Sequence, residues 1–325
     1  MSKKTKTTET AIKPDVKAYD FCSKKKMILG IFIAIIVALI IGIAVRGVRL
    51  AIEFRGGTMI TYNYDGDLDT NTVQSAIKEI VNVPVNVRSG QALDTGNKQL
   101  NVSFTSDTGF NADRQQELTE ALQAKFADNN IEVSDSNDVS PSSGREFLLK
   151  CLIACIFAAL IIIIYIAIRF RKIGGWSAGL CAIFALCTDL LVALASSILF
   201  GFEFNSNIVA VILTILGYSI NNTIVIYDRI RENRSLYSKA SLNELINLGC
   251  TQSLTRSIRT SVTTIGTMLI VTIVVFISGY TSLLSFSVPL VFGLISGTYS
   301  SLFVAPVTWS WLKAREAAKS GNDKK

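Results

Sequence analysis

Long uncharged apolar runs constrain this chain more than any other feature. No charged residue occurs from 27 to 44, and none from 262 to 311, a run long enough for two membrane crossings. About 20 apolar residues in an α-helix cross the roughly 30 Å hydrocarbon core of a bilayer. Half of the 325 residues are hydrophobic and the mean hydropathy is +0.42, values that are rare in a protein whose surface faces water. The sequence therefore predicts an integral membrane protein.

Six transmembrane helices are predicted, the first at 27–46. A basic segment followed by an apolar run is also the pattern of a cleaved signal peptide. We prefer a retained helix, because the run is longer than a signal core and the sequence from Arg46 to Arg49 is no small-residue cleavage site. The other five spans are predicted near 147–168, 174–199, 207–227, 260–278 and 283–312.

Basic residues mark alternate ends of the predicted spans. The segments 169–172 and 228–259 are rich in Lys and Arg, as are both chain ends, whereas 201–204 and 279–282 contain neither. The positive-inside rule then predicts that both termini are cytoplasmic in a multi-pass protein of the cytoplasmic (inner) membrane. This topology explains the net charge of +7 better than binding to nucleic acid does.

A hydrophilic insert separates the first two spans. From 51 to 145 the chain has 7 Lys and Arg against 14 Asp and Glu, a net charge of −7. Its periodicities predict the order β-α-β-β-α-β, which suits a ferredoxin-like α+β domain outside the cytoplasm. The predicted strands lie at 58–62, 83–87, 100–104 and 131–133, and the helices at 71–81 and 111–126. The predicted parts are a basic tail (1–26), the first helix (27–46), the outer domain (47–145), helices 2–6 (146–312) and a second basic tail (313–325).

Several classes of chemistry lack their usual residues in this sequence. The chain has no histidine, and none of its six cysteines lies in the insert or forms a CxxC pair. We therefore expect no disulfide framework, no metal site and no cofactor. Walker, HExxH and GxSxG motifs are also missing, so we expect no enzymatic activity.

Four ordered motifs point to a family. The run 217–233, Gly-Tyr-Ser-Ile-Asn-Asn-Thr-Ile-Val-Ile-Tyr-Asp-Arg-Ile-Arg-Glu-Asn, closely resembles the fourth transmembrane helix and following loop of the SecF family. Residues 53–58 are similar to the glycine-pair motif that opens the family's outer domain. Residues 139–146 and 255–264 resemble its entries into the second and fifth helices. The resemblance extends from about 27 to 312 and agrees with the topology derived above.

The resemblance implies a fold, a task and partners. SecF proteins are the smaller subunits of SecDF protein-export complexes and have half of an RND-superfamily transporter fold, with six helices and an outer domain. The implied partners are SecD, the SecYEG channel, YajC, a YidC-type insertase and an unfolded exported protein. The implied task is to assist translocation with the proton-motive force. Two alternatives stay open, namely an RND-type small-molecule or ion transporter and a structural subunit without a proton relay.

Polar residues inside the predicted spans are the candidate site. Charged groups at membrane depth are costly and usually face a partner or a watery cavity. Asp189 lies in the middle of the third span, and Arg256 precedes hydroxyls that include Thr260 and Ser261 in the fifth. Arg256 could instead anchor the helix at the lipid headgroups. The resemblance adds Asn222, because relatives usually have at this position an aspartate that is thought to carry protons together with the arginine matching Arg256.

Asn222 departs from the family pattern, since an amide does not titrate near neutral pH. Three interpretations remain. Proton coupling could reside in the SecD partner, which we favour, Asp189 could take over part of it, or the complex could be uncoupled from protons.

Two further motifs carry expectations. Gly56 and Gly57 precede a predicted strand, where glycines permit either a close backbone approach or an ordinary turn. A cytoplasmic loop motif lies within the family-like run and contains Asp228, Arg229, Arg231 and Glu232.

Overall fold

The structure is a computed structural model that describes residues 18–81, 83, 85–92, 96–104 and 112–322. Its helices are α1 Lys25–Arg46, α2 Ile52–Arg55, α3 Thr70–Val81, α4 Ala112–Lys125, α5 Pro141–Arg169, α6 Gly175–Phe200, α7 Ser206–Leu236, α8 Leu242–Ile277, α9 Thr281–Tyr299 and α10 Ala305–Asn322. Its strands are β1 Gly57–Asn63, β2 Val85–Gln91, β3 Lys98–Phe104 and β4 Glu132–Val139. The predicted helix start at Asn111, residues 1–17 of the N-terminal tail and residues 323–325 of the C-terminal tail lie outside the described residues.

Six helical segments in the described part of the chain are long and apolar enough to cross a membrane, as predicted. They are α1, α5, α6, α7, α8 and a last segment from Ser282 to Glu316 that joins α9 to α10. Only 12% of the apolar window of α1 and 11% of that of α5 is buried, against 56% for α6 and 61% for the last segment. Helices that are apolar on all sides yet exposed suit contact with lipid, so α6 and α9–α10 form the centre of the bundle.

The fifth membrane helix, α8, begins well before the predicted span at 260–278. It starts at Leu242, where a capping box closes its first turn: Ser241 Oγ accepts the Glu244 N–H at 3.3 Å, and Glu244 Oε2 accepts the Ser241 N–H at 2.7 Å. This cap satisfies backbone donors that would otherwise be free. The polar segment before the membrane is therefore helical.

Residues 18–24 of the predicted N-terminal tail pack against the first turns of α8. Asn247 Oδ1 accepts the backbone N–H of Phe21 at 2.9 Å and that of Cys22 at 3.2 Å. The Phe21 ring is buried and lies 5.2 Å from the Phe303 ring. This segment, which we call the N-terminal strap, fastens the start of α1 to the bundle.

Between α1 and α5 the chain forms a four-stranded sheet, and its elements follow the predicted order β-α-β-β-α-β. The strand order is β2-β3-β1-β4 and all neighbouring pairs are antiparallel. Tyr62 and Leu100 are register partners with no exposed surface. They pack with Val73 and Ile77 of α3 and with Leu122 of α4 into a separate core. β4 is an edge strand that is exposed along nearly its whole length.

The entry into this domain, which is predicted to lie outside the cytoplasm and is called the outer domain here, packs closely against its exit. Gly56 has φ +83° and follows α2, and a Cβ there would lie 2.5 Å from the Cα of Pro141. A Cβ at Gly144 would lie 2.9 Å from the Gly56 nitrogen. Gly57, with φ +139°, begins β1. Of the two expectations for the glycine pair, the close backbone approach is confirmed at Gly56.

The outer domain also contacts the turn between α6 and α7. The Phe204 N–H donates to Arg49 O at 2.8 Å, and the Ala51 N–H donates to Phe204 O at 3.0 Å. Asn86 of β2 donates its side-chain amide to Glu203, and Arg88 Nη2 lies 3.9 Å from Glu203 Oε1. The sheet is thus held against one end of the bundle.

Candidate functional site

A carboxylate lies at the centre of the bundle. Asp189, in the middle of α6, has no exposed surface. Ser219 Oγ of α7 donates to its Oδ2 at 2.6 Å, and Ser300 Oγ donates to the same oxygen at 2.7 Å. Ser296 Oγ of α9 donates to Oδ1 at 2.7 Å. We call these four residues the Asp189 cluster.

Close helix packing positions the three hydroxyls. A Cβ at Gly297 would lie 3.3 Å from Ser219 Cβ, so α9 approaches α7 directly over that serine. Small residues allow such approaches between membrane helices. Ser300 begins a π-helical turn, Ser300–Val304, that joins α9 to α10. Turns of this kind frequently occur at functional sites. Here the turn begins at Ser300, which donates a hydrogen bond to the Asp189 carboxylate.

The Asp189 carboxylate has no cationic partner among the described residues: no Lys or Arg of the described chain forms an ion pair with it. Three hydroxyl donors satisfy its oxygens but bring no positive charge. A buried carboxyl group with donors and without a counter-ion can hold either a negative charge or a proton. The cluster therefore has the chemistry of a proton-accepting site within the membrane.

A second hydroxyl cluster lies beside the first along α7 and α9. Tyr218 Oη donates to Ser261 Oγ of α8 at 2.8 Å, and Thr298 Oγ1 of α9 also donates to Ser261 Oγ at 2.8 Å. Tyr218 precedes Ser219 in sequence, and Thr298 lies between Ser296 and Ser300. This Tyr218 cluster extends the polar groups from the centre of the bundle to α8.

The predicted site residues divide into a buried and an exposed group. Asp189, Asn222 and Ser261 are buried. Asn222 lies one turn after Ser219 on α7, and its Nδ2 is buried without a hydrogen-bond partner among the described residues. Arg256 and Thr260 are exposed on α8, and no hydrogen bond within the described chain joins Arg256 to Asn222.

One face of α8 is polar and exposed. Arg256, Thr260, Thr263 and Thr267 recur at helical spacing, and all four are exposed. Thr263 and Thr267 donate their hydroxyls to backbone carbonyls of their own helix at 2.8 and 2.9 Å. Arg256 is therefore the group on this face that needs an external partner.

The motif that was predicted to be a cytoplasmic loop lies within α7 and braces three helices. Asp228 lies 3.1 Å from Arg169, at the end of α5, and 3.0 Å from Arg231. Arg229 pairs with Glu232 at 2.6 Å and donates from Nε to Gln252 of α8 at 2.7 Å. Each pair is partly exposed, and such pairs contribute about 0–1 kcal/mol. The motif fixes the ends of α5, α7 and α8 relative to one another.

The family profile described as protein export membrane protein SecD/SecF, C-terminal, matches residues 118–315, and the SecD/SecF GG motif profile matches 41–67. The chain belongs to the SecD/SecF family. The first match covers the Asp189 and Tyr218 clusters, and the second covers the close approach at Gly56. The family named from motifs in the sequence is confirmed.

Individual relatives agree with this assignment. The protein translocase subunit SecF of Petrotoga mobilis is 32% identical over 91% of this chain and 97% of its own length. That of Rickettsia felis is 33% identical over 90% and 92%. As a member of this family the chain is a multi-pass membrane protein with a role in Sec-pathway protein export. The relatives' names give a translocase subunit and no catalytic activity.

Two solved SecDF structures share the fold. The crystal structure of SecDF from Thermus thermophilus, described as a translocon-associated membrane protein, matches with a TM-score of 0.75 and 26% identity over 91% of this chain. A super-membrane-facing form of SecDF matches with a TM-score of 0.62 and 25% identity over 96%. This chain spans 39% and 41% of those two SecDF chains.

The sequence predicted Asp189 but missed its partners. Ser296 and Ser300 are four residues apart in an apolar run, a spacing that places two hydroxyls on one helix face. This spacing could have predicted the two serines as partners. The contribution of Ser219 could not be predicted from the sequence, because it depends on how closely α7 packs against α6.

Proposed function

We propose that this chain is the SecF-type subunit of the Sec machinery and assists the translocation of unfolded proteins across the cytoplasmic membrane. The observation that carries the proposal is the match to proteins named SecF over nearly their whole length, 97% for the first of them. The close approach at Gly56 supports it, since the GG motif profile matches that part of the chain.

A SecD-type chain is the proposed partner. The exposed polar face of α8 supports it, because Arg256 lies next to the apolar part of that helix, where an unpaired charge that faces hydrocarbon is costly. A partner helix packed over Arg256 would shield it from lipid. The matched share of the SecDF chains leaves room for a second set of helices. Contacts with SecYEG, YajC and a YidC-type insertase remain predictions from family resemblance.

The proposed orientation places the outer domain outside and both termini in the cytoplasm. This orientation is supported by contacts between the domain and the two turns that have no basic residue. Asn86 of β2 donates to Glu203 in the α6–α7 turn, and Gln91 of β2 lies beside Gly279 in the turn after α8. The basic motif around Asp228 lies at the opposite end of α7. The strand order and antiparallel pairing are those of a split βαβ unit, which supports the ferredoxin-like fold.

Proton coupling within this chain is proposed to use Asp189. Asn222 has no titratable group, and Asp189 has three hydroxyl donors and no counter-ion among the described residues. A proton moving down 100 mV releases about 2.3 kcal/mol, enough to shift a two-state equilibrium about fiftyfold. An outer domain that binds a substrate in one state and releases it in the other would then bias a sliding chain.

Depletion and complementation in the source cell test the function. Loss of the protein should cause unprocessed export precursors to accumulate, and plasmid-borne wild type should restore processing. Asp189→Asn, which keeps the size of the side chain but has only one acceptor oxygen and no titratable group, should insert normally but restore processing poorly. Asp128→Asn, on the exposed surface of the outer domain, is the matched control and should restore it fully.

The outcomes separate the parts of the proposal. Normal processing in depleted cells would contradict the export role. Full rescue by Asp189→Asn, at high and at uncoupler-reduced proton-motive force, would exclude Asp189 as the proton carrier. Proton coupling would then reside in the partner, or this chain would be a purely structural subunit. Purification should bring down a SecD-type chain, and its absence would favour a self-sufficient transporter.

A further inference from the structure

A half-open cavity of about 310 Å³ lies between the outer domain and the membrane helices, just after the end of α1. The link after α1, the facing ends of β2 and β3 and the α6–α7 turn form its walls. Arg49 and Arg55 line it. Arg46, the last residue of α1, packs its guanidinium on Gly201, two positions before the lining residue Glu203, so closely that a Cβ on Gly201 would lie 2.6 Å from Nη1.

These three arginines are not neutralised within the described part of the protein. All three are exposed, and none forms an ion pair with a described residue. The acid in the cavity wall, Glu203, already accepts a hydrogen bond from Asn86 and lies near Arg88. The cavity therefore has an excess of positive charge.

The placement of these arginines runs against the usual charge distribution of membrane proteins. Lys and Arg near the ends of membrane helices are normally concentrated on the cytoplasmic side, whereas Arg46 ends α1 and Arg49 and Arg55 lie beyond it on the side of the outer domain. Side chains that oppose this preference and also remain unpaired indicate a ligand. The guanidinium group is a planar fork of donors that matches carboxylate and phosphate oxygens.

The rest of the wall indicates which anion fits. Val48, Leu50, Ile52, Val85 and Phe104 make part of the lining apolar, and Val48 is half exposed. The lining starts at Val48, two residues after the end of α1, whose surface is apolar and exposed along the span. A ligand with an anionic head and an apolar body would satisfy both parts of this surface.

We propose that this cavity binds the phosphodiester headgroup of an anionic membrane phospholipid, held between Arg49 and Arg55 and flanked by Arg46, with its acyl chains along α1. The bound lipid bridges the end of α1 and the underside of the sheet. The site itself does not depend on the export role, but the argument from the charge distribution and the assignment to the outer leaflet rest on the proposed orientation.

Lipid binding by the purified full-length protein tests the proposal. Native mass spectrometry in detergent would compare phosphatidylglycerol, phosphatidylcholine and inorganic phosphate. The wild type should retain phosphatidylglycerol in preference to phosphatidylcholine. Arg49→Gln combined with Arg55→Gln should weaken that binding by about tenfold or more, since two charge-assisted contacts are lost. Arg49→Lys, which keeps the charge without the fork, should give an intermediate loss.

The matched control removes the same charge from the same domain. Arg114→Gln combined with Lys125→Gln changes two exposed side chains of α4, a helix with no residue in the cavity wall, and should bind phosphatidylglycerol like the wild type. Equal lipid retention by the two double variants would overturn the proposal. If inorganic phosphate competed as effectively as lipid, the ligand would not be a phospholipid. If the wild type showed no preference for phosphatidylglycerol over phosphatidylcholine, the cavity would not be an anion-binding site.

Discussion

Replacing Gly56 by alanine should open the junction between the outer domain and α5. Two costs can be read from the structure. A non-glycine residue at φ +83° carries about 1–3 kcal/mol of backbone strain. The added Cβ would lie 2.5 Å from Pro141 Cα and 2.6 Å from its nitrogen, and relieving such overpacking costs about 1–3 kcal/mol more. The substitution should therefore destabilise the junction by roughly 2–6 kcal/mol.

Gly96→Ala separates the two costs. Gly96 also has positive φ, +70°, but nothing lies within 4 Å of a Cβ built there. Gly96→Ala should therefore have the backbone strain but no steric overlap. The losses of stability in the two variants should differ by about 1–3 kcal/mol.

Hydrogen exchange of the purified protein measures this difference. Because 1.4 kcal/mol corresponds to about tenfold in an equilibrium constant, Gly56→Ala should lower protection across β1 and the first turn of α5 about 5–150-fold more than Gly96→Ala lowers it around its own turn. Gly96→Ala should leave the first turn of α5 unchanged. Equal losses in the two variants, or unchanged protection at α5 in Gly56→Ala, would refute the close-approach reasoning.

Three further perturbations have defined outcomes. Glu203→Ala removes the group that holds β2 to the α6–α7 turn and should speed limited tryptic cleavage at Arg88. Tyr218→Phe removes the hydroxyl that joins α7 to α8 and should lower the free energy of unfolding by about 0.5–1.5 kcal/mol, measured by thermal unfolding in detergent. Burial now raises the pKa of the Cys22 thiol above its ordinary value. Asn247→Ala should release the N-terminal strap, bring that pKa down and speed alkylation of Cys22 at pH 7.5, followed by peptide mass spectrometry.

Each of these changes has a control of the same kind. Glu132→Ala removes an acid from the exposed edge strand and should not alter tryptic cleavage. Tyr165→Phe removes the hydroxyl of a tyrosine that is 47% exposed on α5 and should leave stability unchanged. Ser235→Ala, at the exposed end of α7, should not change Cys22 alkylation. An effect in a control as large as in its test variant would contradict the corresponding contact.

Much of the architecture could be predicted because local patterns determine it. Uncharged runs indicate membrane helices whatever their neighbours, and the six segments were found near their observed positions. Alternation in strands and helical spacing gave the order of elements from β1 to β4. Asp189 could be identified because one acid in an apolar run is exceptional.

Other features depend on tertiary packing that no local pattern carries. Ser219 meets Asp189 only because α6, α7 and α9 approach closely, and the strap binds Asn247 more than 200 positions away in the chain. The early start of α8 was a missed local signal, since Ser241 and Glu244 have the spacing of a capping box. Arg256 was predicted from the family pattern to take part in a proton path. It is exposed on α8, and its role in a proton path stays a prediction.

Labelling with a membrane-impermeant thiol reagent tests the proposed arrangement most directly. In a background without the six natural cysteines, Asp128→Cys on the outer domain and Ser235→Cys at the end of α7 provide one exposed position on each predicted side. Intact cells should label Asp128→Cys at once and Ser235→Cys only after permeabilisation. Labelling of Ser235→Cys in intact cells, or protection of Asp128→Cys, would contradict the orientation on which the export role depends.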